Sequence, residues 1–193
     1  MRIAILGGSF NPVHIGHLAL ADDVRVSLGY DRVLLVPANV PPHKAVSLGA
    51  EPAERLEMLR LATAGNDWLR VEECELERGG LSYTIDTIRH LETKFAGQLD
   101  GKIALVFGQD LSAGFLSWKE STELARKTDI VIAKRPGSDD CPFPYPFKAL
   151  ENPLLSISSS AIRDAIAAGK SWRYLVPESV YRYIVDRNLY EYR

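Results

Sequence analysis

The sequence predicts an α/β fold, with a doubly wound, mostly parallel sheet, helices on both faces and a helical carboxy-terminal end. Three observations carry this reading. Short, continuous aliphatic runs alternate with longer amphipathic stretches along most of the chain. Several of those runs are aliphatic or β-branched throughout, as strands covered on both faces require. The first run ends in a Gly-Gly turn that opens a helix, which is where a doubly wound sheet binds its ligands.

Each element follows from its local pattern. Strands are predicted at 3–6, 32–36, 69–76, 103–107, 130–133 and 154–157. Helices are predicted at 17–28, 52–64, 83–95, 121–126, 159–168 and 177–188. The alternation implies right-handed crossovers between parallel strands. The last two helices have no strand after them; Gly169 suits the end of the first and Pro177 the start of the second. Two proline-bearing stretches, 37–49 and 135–147, read as loops and as candidate lids. With 193 residues and no internal repeat, the expected organisation is one Rossmann-like domain over 1–193.

Composition narrows the function classes. At 46% hydrophobic and 25% charged residues, the chain can bury a core without staples. Its two cysteines, Cys74 and Cys141, make neither a disulfide framework nor a metal quartet, and fit a reducing cytoplasm. A net charge of -2 gives no global attraction to nucleic acid or to an anionic membrane. The apolar start is broken by Gly7, Gly8, Asn11 and Pro12, unlike a signal peptide. No apolar run approaches the ~20 residues of a membrane helix.

The strongest motif is Gly7-Gly8-Ser9-Phe10-Asn11-Pro12-Val13-His14-Ile15-Gly16-His17. Glycines let backbone approach a ligand, and the helix start that follows offers free N–H groups to an anion. His14 and His17, three apart, share one side of the first turn and can both donate to a phosphate chain. A metal pair is disfavoured because no third ligand follows at suitable spacing. Neither a Walker loop nor the Gly-x-Gly-x-x-Gly fingerprint is present. A second strand-to-helix junction, Ile157-Ser158-Ser159-Ser160-Ala161-Ile162-Arg163, repeats this geometry with hydroxyls and one arginine, although a serine-rich helix start alone is usually only a cap.

The first motif resembles the His-x-Gly-His signature of nucleotidyltransferases, with Ser9 for the usual Thr and Asn11 for the usual Asp. Ser9 keeps the hydroxyl; Asn11 can still make an Asx-type turn without the charge. The second resembles the Ile-Ser-Ser-Thr-x-Ile-Arg motif of the same superfamily. Three further segments are similar to those of bacterial nicotinate mononucleotide adenylyltransferases: Pro41-Pro42-His43-Lys44, Ser82-Tyr83-Thr84-Ile85-Asp86-Thr87, and Gly108-Gln109-Asp110 with Trp118 beyond it. The ending, Tyr183-Ile184 through Leu189-Tyr190, fits as well, so the resemblance runs nearly the whole chain. Read singly, Lys44 is a solvated lysine, Trp118 and Tyr83 are packing aromatics and Asp86 is a first-turn charge. His90, Trp68 and Trp172 are read as surface or packing residues.

The resemblance implies transfer of AMP from ATP to the 5′-phosphate of nicotinate mononucleotide, releasing pyrophosphate, in NAD biosynthesis. It implies ATP contacts from Gly7, Gly8, Ser9, Phe10, His14, His17, Gly108, Asp110, Ile157, Ser158, Ser159, Ser160 and Arg163. Of these, His14, His17 and Arg163 would be catalytic. Mononucleotide contacts would come from Lys44, Tyr83, Thr84, Asp86, Trp118 and Arg135, with Mg²⁺ carried in on ATP and no protein metal cage. The alternative acceptors are nicotinamide mononucleotide or another phosphorylated molecule such as phosphopantetheine. A non-catalytic nucleotide sensor and a tRNA synthetase fragment are the rivals from other classes. Intact His14, His17 and Arg163 count against the sensor, and the chain's length against the synthetase.

Overall fold

The computed structural model describes residues 1–41, 49–134 and 142–192. Six strands form one sheet: β1 (Ile3–Gly8), β2 (Arg32–Pro37), β3 (Leu69–Val71), β4 (Ile103–Gly108), β5 (Thr128–Ala133) and β6 (Phe147–Leu150). Their order is β3-β2-β1-β4-β5-β6, and every pairing is parallel. The chain therefore leaves β1 toward one edge and returns at β4 toward the other, which places the topological switch point between β1 and β4.

Period-two alternation sorts the strand residues onto two cores. Ala4, Leu6, Val33, Leu35, Ala104, Val106 and Val131 face one side. There they meet α1 (Ile15–Leu28), α2 (Pro52–Thr63), α6 (Ser159–Ala167) and α7 (Glu178–Asp186) through Val24, Met58, Ile162 and Ile184. Ile3, Ile5, Leu34, Val36, Ile103, Leu105 and Ile130 face the other. They meet α4 (Thr84–Lys94), α5 (Ser121–Lys127) and the 3-10 segment Gln109–Ser117 through Ile88, Leu91, Phe115 and Leu124. Because both faces are covered, the strands are apolar at successive positions, which is why they read as continuous runs.

The sheet is wholly parallel in the described residues, in keeping with the doubly wound, mostly parallel sheet expected. Two expectations need correction. The third strand stops at Val71: Glu72 N–H still reaches Leu35 O at 3.0 Å, but Glu73 turns helical (φ −94, ψ 0) and α3 (Cys74–Arg78) begins. The mix of apolar and charged residues over 69–76 mimics a strand, but the ladder pairs only Leu69–Val71 with Val33–Leu35 before the chain turns into α3. The predicted strand at 154–157 is not one. Leu154 and Leu155 are exposed, and the sixth strand is instead Phe147–Leu150, at the edge of the predicted loop. Among the described residues no helix is long and apolar enough to cross a membrane.

Candidate active site

The carboxyl ends of β1 and β4 open into a cavity of about 920 Å³, a size suited to a small-molecule site. Its phosphate-sized end is built by the β1–α1 loop. A Cβ on Gly8 would stand 3.1 Å from the Phe10 ring, so the ring would have to give by a few tenths of an ångström. Phe10 is buried, with its backbone at φ 47, and its ring meets the edge of His17 with centroids 4.9 Å apart. Gly16 is close-packed in the same way, since its Cβ would lie 3.1 Å from the His14 ring.

His14 caps α1 and stacks on His17 with ring centroids 3.7 Å apart. The backbone N–H of His14 donates to His17 Nδ1 at 3.2 Å. A ring nitrogen that accepts carries no proton, so the His17 proton sits on Nε2 and makes that atom a donor. Both histidines line the cavity.

The start of α6 is tied across the chain to this loop. Arg163 Nη1 donates to Asn11 O at 2.7 Å, and its Nη2 to Ser160 Oγ at 3.3 Å. Ser159 Oγ donates to Pro12 O at 2.8 Å, while Ser158 Oγ accepts from Ala161 N–H as the cap of α6. Asn11, where the related motif has Asp, is a buried junction: its Oδ1 accepts from Ala50 N–H at 3.1 Å and from Tyr190 O–H at 2.7 Å. Burial raises the Tyr190 phenol well above its ordinary value and keeps it a donor.

The other end of the cavity lies between α4 and the segment after Gln109–Ser117. Trp118 is half-buried, backed by Phe107 at 5.6 Å and Phe115 at 5.3 Å. Tyr83 caps α4, and with Thr84 faces the cavity. Glu75 of α3 is buried and accepts the Thr87 hydroxyl at 2.6 Å.

The cavity brings together Gly7, Gly8, Ser9, Phe10, His14, His17, Gly108, Asp110, Ser158, Ser159, Ser160, Arg163, Tyr83, Thr84 and Trp118, as the sequence expects. Ile157 does not line it but packs against the α1-side core. Asp86 does not line it either; its carboxylate turns to Lys119 at 2.9 Å and Arg89 at 3.7 Å. Lys44 and Arg135 lie outside the described residues. Two cavity cations were missed. Arg55 of α2 is buried, donates to Ser9 O at 2.8 Å, and has its pKa pulled down by that burial. Lys119 lines the cavity beside Trp118. Neither residue carries a local sequence signal, since each meets its partner far along the chain, Arg55 at Ser9 and Lys119 at Asp86.

Behind α3 and α4, Glu72, Cys74 and His90 bring three metal-ligating atoms within 4.8 Å of one another. The Lys94 ammonium already holds Glu72 at 2.7 Å. Burial, reinforced by Glu72 and Glu75, pushes the Cys74 thiol up to about 12. With Glu72 already paired to Lys94, the three groups form a polar cluster that the rest of the site does not use.

Comparison with known proteins agrees with this geometry. Residues 5–165 match the cytidylyltransferase-like family. The chain is 43% identical to a Treponema pallidum protein named "Probable nicotinate-nucleotide adenylyltransferase", covering 98% of this chain and 99% of that one. It is 39% identical to a Marinobacter nauticus protein of the same name, covering 96% and 95%. A solved Plasmodium falciparum nicotinic acid mononucleotide adenylyltransferase superposes with a TM-score of 0.80 at 19% identity, over 100% of this chain and 98% of that one; at that identity the likeness is one of fold.

Proposed function

We propose the following reaction for a chain that belongs to the cytidylyltransferase-like family and, within it, to the nicotinate-nucleotide adenylyltransferases: it transfers AMP from ATP to nicotinate mononucleotide, releasing pyrophosphate, as a step in NAD biosynthesis. The observation that carries it is the paired-histidine helix start at the switch point, with the His17 tautomer fixed by a backbone N–H.

The acceptor's 5′-phosphate oxygen attacks the α-phosphorus of ATP, the bond to the bridging oxygen breaks, and pyrophosphate leaves with the electron pair. The substrate brings its own nucleophile, so the protein positions the reactants and stabilises charge. His17 Nε2–H donates to the α-phosphate as charge builds in the transition state. His14 and the N-terminal end of α1 hold the neighbouring phosphates. Arg163 and the Ser158–Ser160 hydroxyls hold the β- and γ-phosphates at the start of α6. Gly108 and Asp110 take the adenosine ribose, Trp118 stacks on the pyridine ring, and Lys44 and Arg135 take the mononucleotide phosphate.

At the phosphate end, the residues lining the cavity include His14, His17, Ser9, Ser158, Ser159, Ser160, Arg55 and Arg163, which bring imidazoles, hydroxyls and guanidinia. That donor set fits a phosphate chain rather than a bare cation. A divalent metal, Mg²⁺ by its chemistry, would arrive on ATP and neutralise phosphate charge while keeping its waters. The reading places the reaction in the cytoplasm; among the described residues no helix is long and apolar enough to cross a membrane.

The test is purified protein with MgATP and a panel of nicotinate mononucleotide, nicotinamide mononucleotide and phosphopantetheine. Pyrophosphate release and product mass are measured. A dinucleotide product from nicotinate mononucleotide is expected. Turnover with phosphopantetheine alone would overturn the reading.

A further inference from the structure

A second group of chemistry-bearing side chains stands apart from the cavity, where the end of β3, the start of α3 and the middle of α4 meet. Glu72 follows β3, Cys74 opens α3 and His90 lies in α4. Their ligating atoms, a carboxylate oxygen, the thiol sulfur and a ring nitrogen, all fall within 4.8 Å of one another. His90 Nε2 is 3.8 Å from Glu72 Oε1. Glu72 and Cys74 are buried, while the His90 side chain is 44% exposed, so the group is walled on the protein side and open on the other. None of the three lines the cavity. A cation already sits here: Lys94, one turn beyond His90 on α4, donates from Nζ to Glu72 Oε2 at 2.7 Å. The local charge invites one. Glu72 and Glu75 are buried carboxylates close enough to the Cys74 sulfur to help hold its proton on. The same negative potential attracts a metal ion to that point, and a bound ion removes the reason for the thiol to stay protonated.

We propose that Glu72, Cys74 and His90 form a site for a borderline-soft divalent ion, Zn²⁺ by preference, which takes the place of the Lys94 ammonium. Carboxylate, thiolate and imidazole together are a zinc-type ligand set, and the open side leaves the fourth tetrahedral position to water. A hard ion such as Mg²⁺, which prefers oxygen ligands, has little claim on it. As the ion binds, the Cys74 S–H proton leaves to solvent and the sulfur gives its electron pair to the metal. Lys94, whose side chain is 48% exposed, releases Glu72 and turns to water. The ligand atoms need to close by about an ångström to reach bonding distance, a shift within the reach of side-chain torsions. The ion would clip the β3–α3 turn to α4, beside the Thr87–Glu75 hydrogen bond that already joins α3 to α4. Its role is to stabilise the fold, and it stands independently of the reaction proposed above.

The test uses the full chain carrying Cys141→Ser, which leaves Cys74 as its sole thiol. Co²⁺ serves as the coloured stand-in for Zn²⁺. A thiolate-to-metal charge-transfer band that saturates at one ion per chain is expected, and Zn²⁺ should then abolish it. Ions on the paired histidines of the catalytic loop cannot give that band, since it requires sulfur. His90→Ala, a change at a half-exposed position, should weaken Co²⁺ binding by at least about tenfold, the scale on which even a supporting group matters. Lys94→Met should tighten it by about two- to fivefold, the worth of the ion pair that no longer has to be broken. Saturating Zn²⁺ should raise the Tm of the Cys141→Ser chain by about 5 °C, and that of the same chain with His90→Ala far less. No sulfur-to-metal band at stoichiometric Co²⁺ would overturn the proposal. So would an affinity indifferent to His90→Ala, or weaker binding in Lys94→Met, which would make the ammonium a support of the site and not its competitor. Adenylyl transfer by His90→Ala should be unchanged, so the metal site and the reaction fail separately.

Discussion

The two ends of the cavity are held by different kinds of contact. At the phosphate end, polar side chains bond backbone: Arg163 to Asn11 O, Ser159 to Pro12 O and Arg55 to Ser9 O. Most of these groups are at least partly buried, and removing one leaves a polar atom short of water and of a partner. At the acceptor end, exposed ion pairs and aromatic faces do the holding: Lys119 with Asp86 and Tyr83, Arg89 with Glu120, and Trp118 on Phe107 and Phe115. Such pairs are individually weak and can be exchanged. On the proposed reading, chemistry falls to the end tied to backbone, here called the rigid end, and the acceptor ring to the end held by exposed pairs.

The largest effect should come from the rigid end. His17→Ala removes a donor aimed at developing charge, worth about 2.7–4 kcal/mol in comparable sites. Turnover should fall by two or more orders of magnitude, equally for both mononucleotides, with the fold preserved by circular dichroism. Near-normal turnover, or a loss confined to one acceptor, would break the division.

Trp118→Ala should come next and act at the other end. Loss of a stacking face is worth about 1–3 kcal/mol per base-sized ring. The KM for the mononucleotide should rise by at least about fivefold while that for ATP stays level. A matching rise in the ATP KM would mean that Trp118 serves the fold rather than the ring.

Arg163→Lys should weaken ATP use by about tenfold, because one ammonium cannot keep both Asn11 O and Ser160 Oγ or grip a phosphate with two N–H groups. The ratio of kcat/KM between the two mononucleotides should not move. Unfolding with unchanged ATP affinity per folded molecule would make Arg163 purely structural.

The smallest effect should be that of Arg89→Ala, which releases Glu120. Exposed pairs contribute about 0.2–1 kcal/mol, so turnover with either mononucleotide and the melting temperature should hardly move. A large fall in turnover with both acceptors would show that this pair supports catalysis too.

What could be read from sequence follows the same divide. The β1–α1 loop is local: Gly8, Gly16, His14 and His17 must stand at fixed spacing because their rings and backbones touch one another. Strands β1, β2, β4 and β5 were legible because both faces are buried. The sixth strand was not, since three of its four residues are exposed. The apolar run at 154–157 misled because Leu154 and Leu155 have no core to enter. Arg55 reaches Ser9 across 46 positions, and Lys119 reaches Asp86 across 33. No window of local pattern contains either pair.

The Tyr190 hydroxyl joins Asn11 across 179 positions. At roughly 5–20 residues per second, the catalytic loop is therefore translated many seconds before its anchor exists. A nascent chain can build β1, β2 and β4 while Asn11 still lacks that partner. Without that bond the loop keeps its ties to Ala50, Arg163, Ser159 and Arg55, so the tyrosine closes a junction that the rest of the fold has already placed.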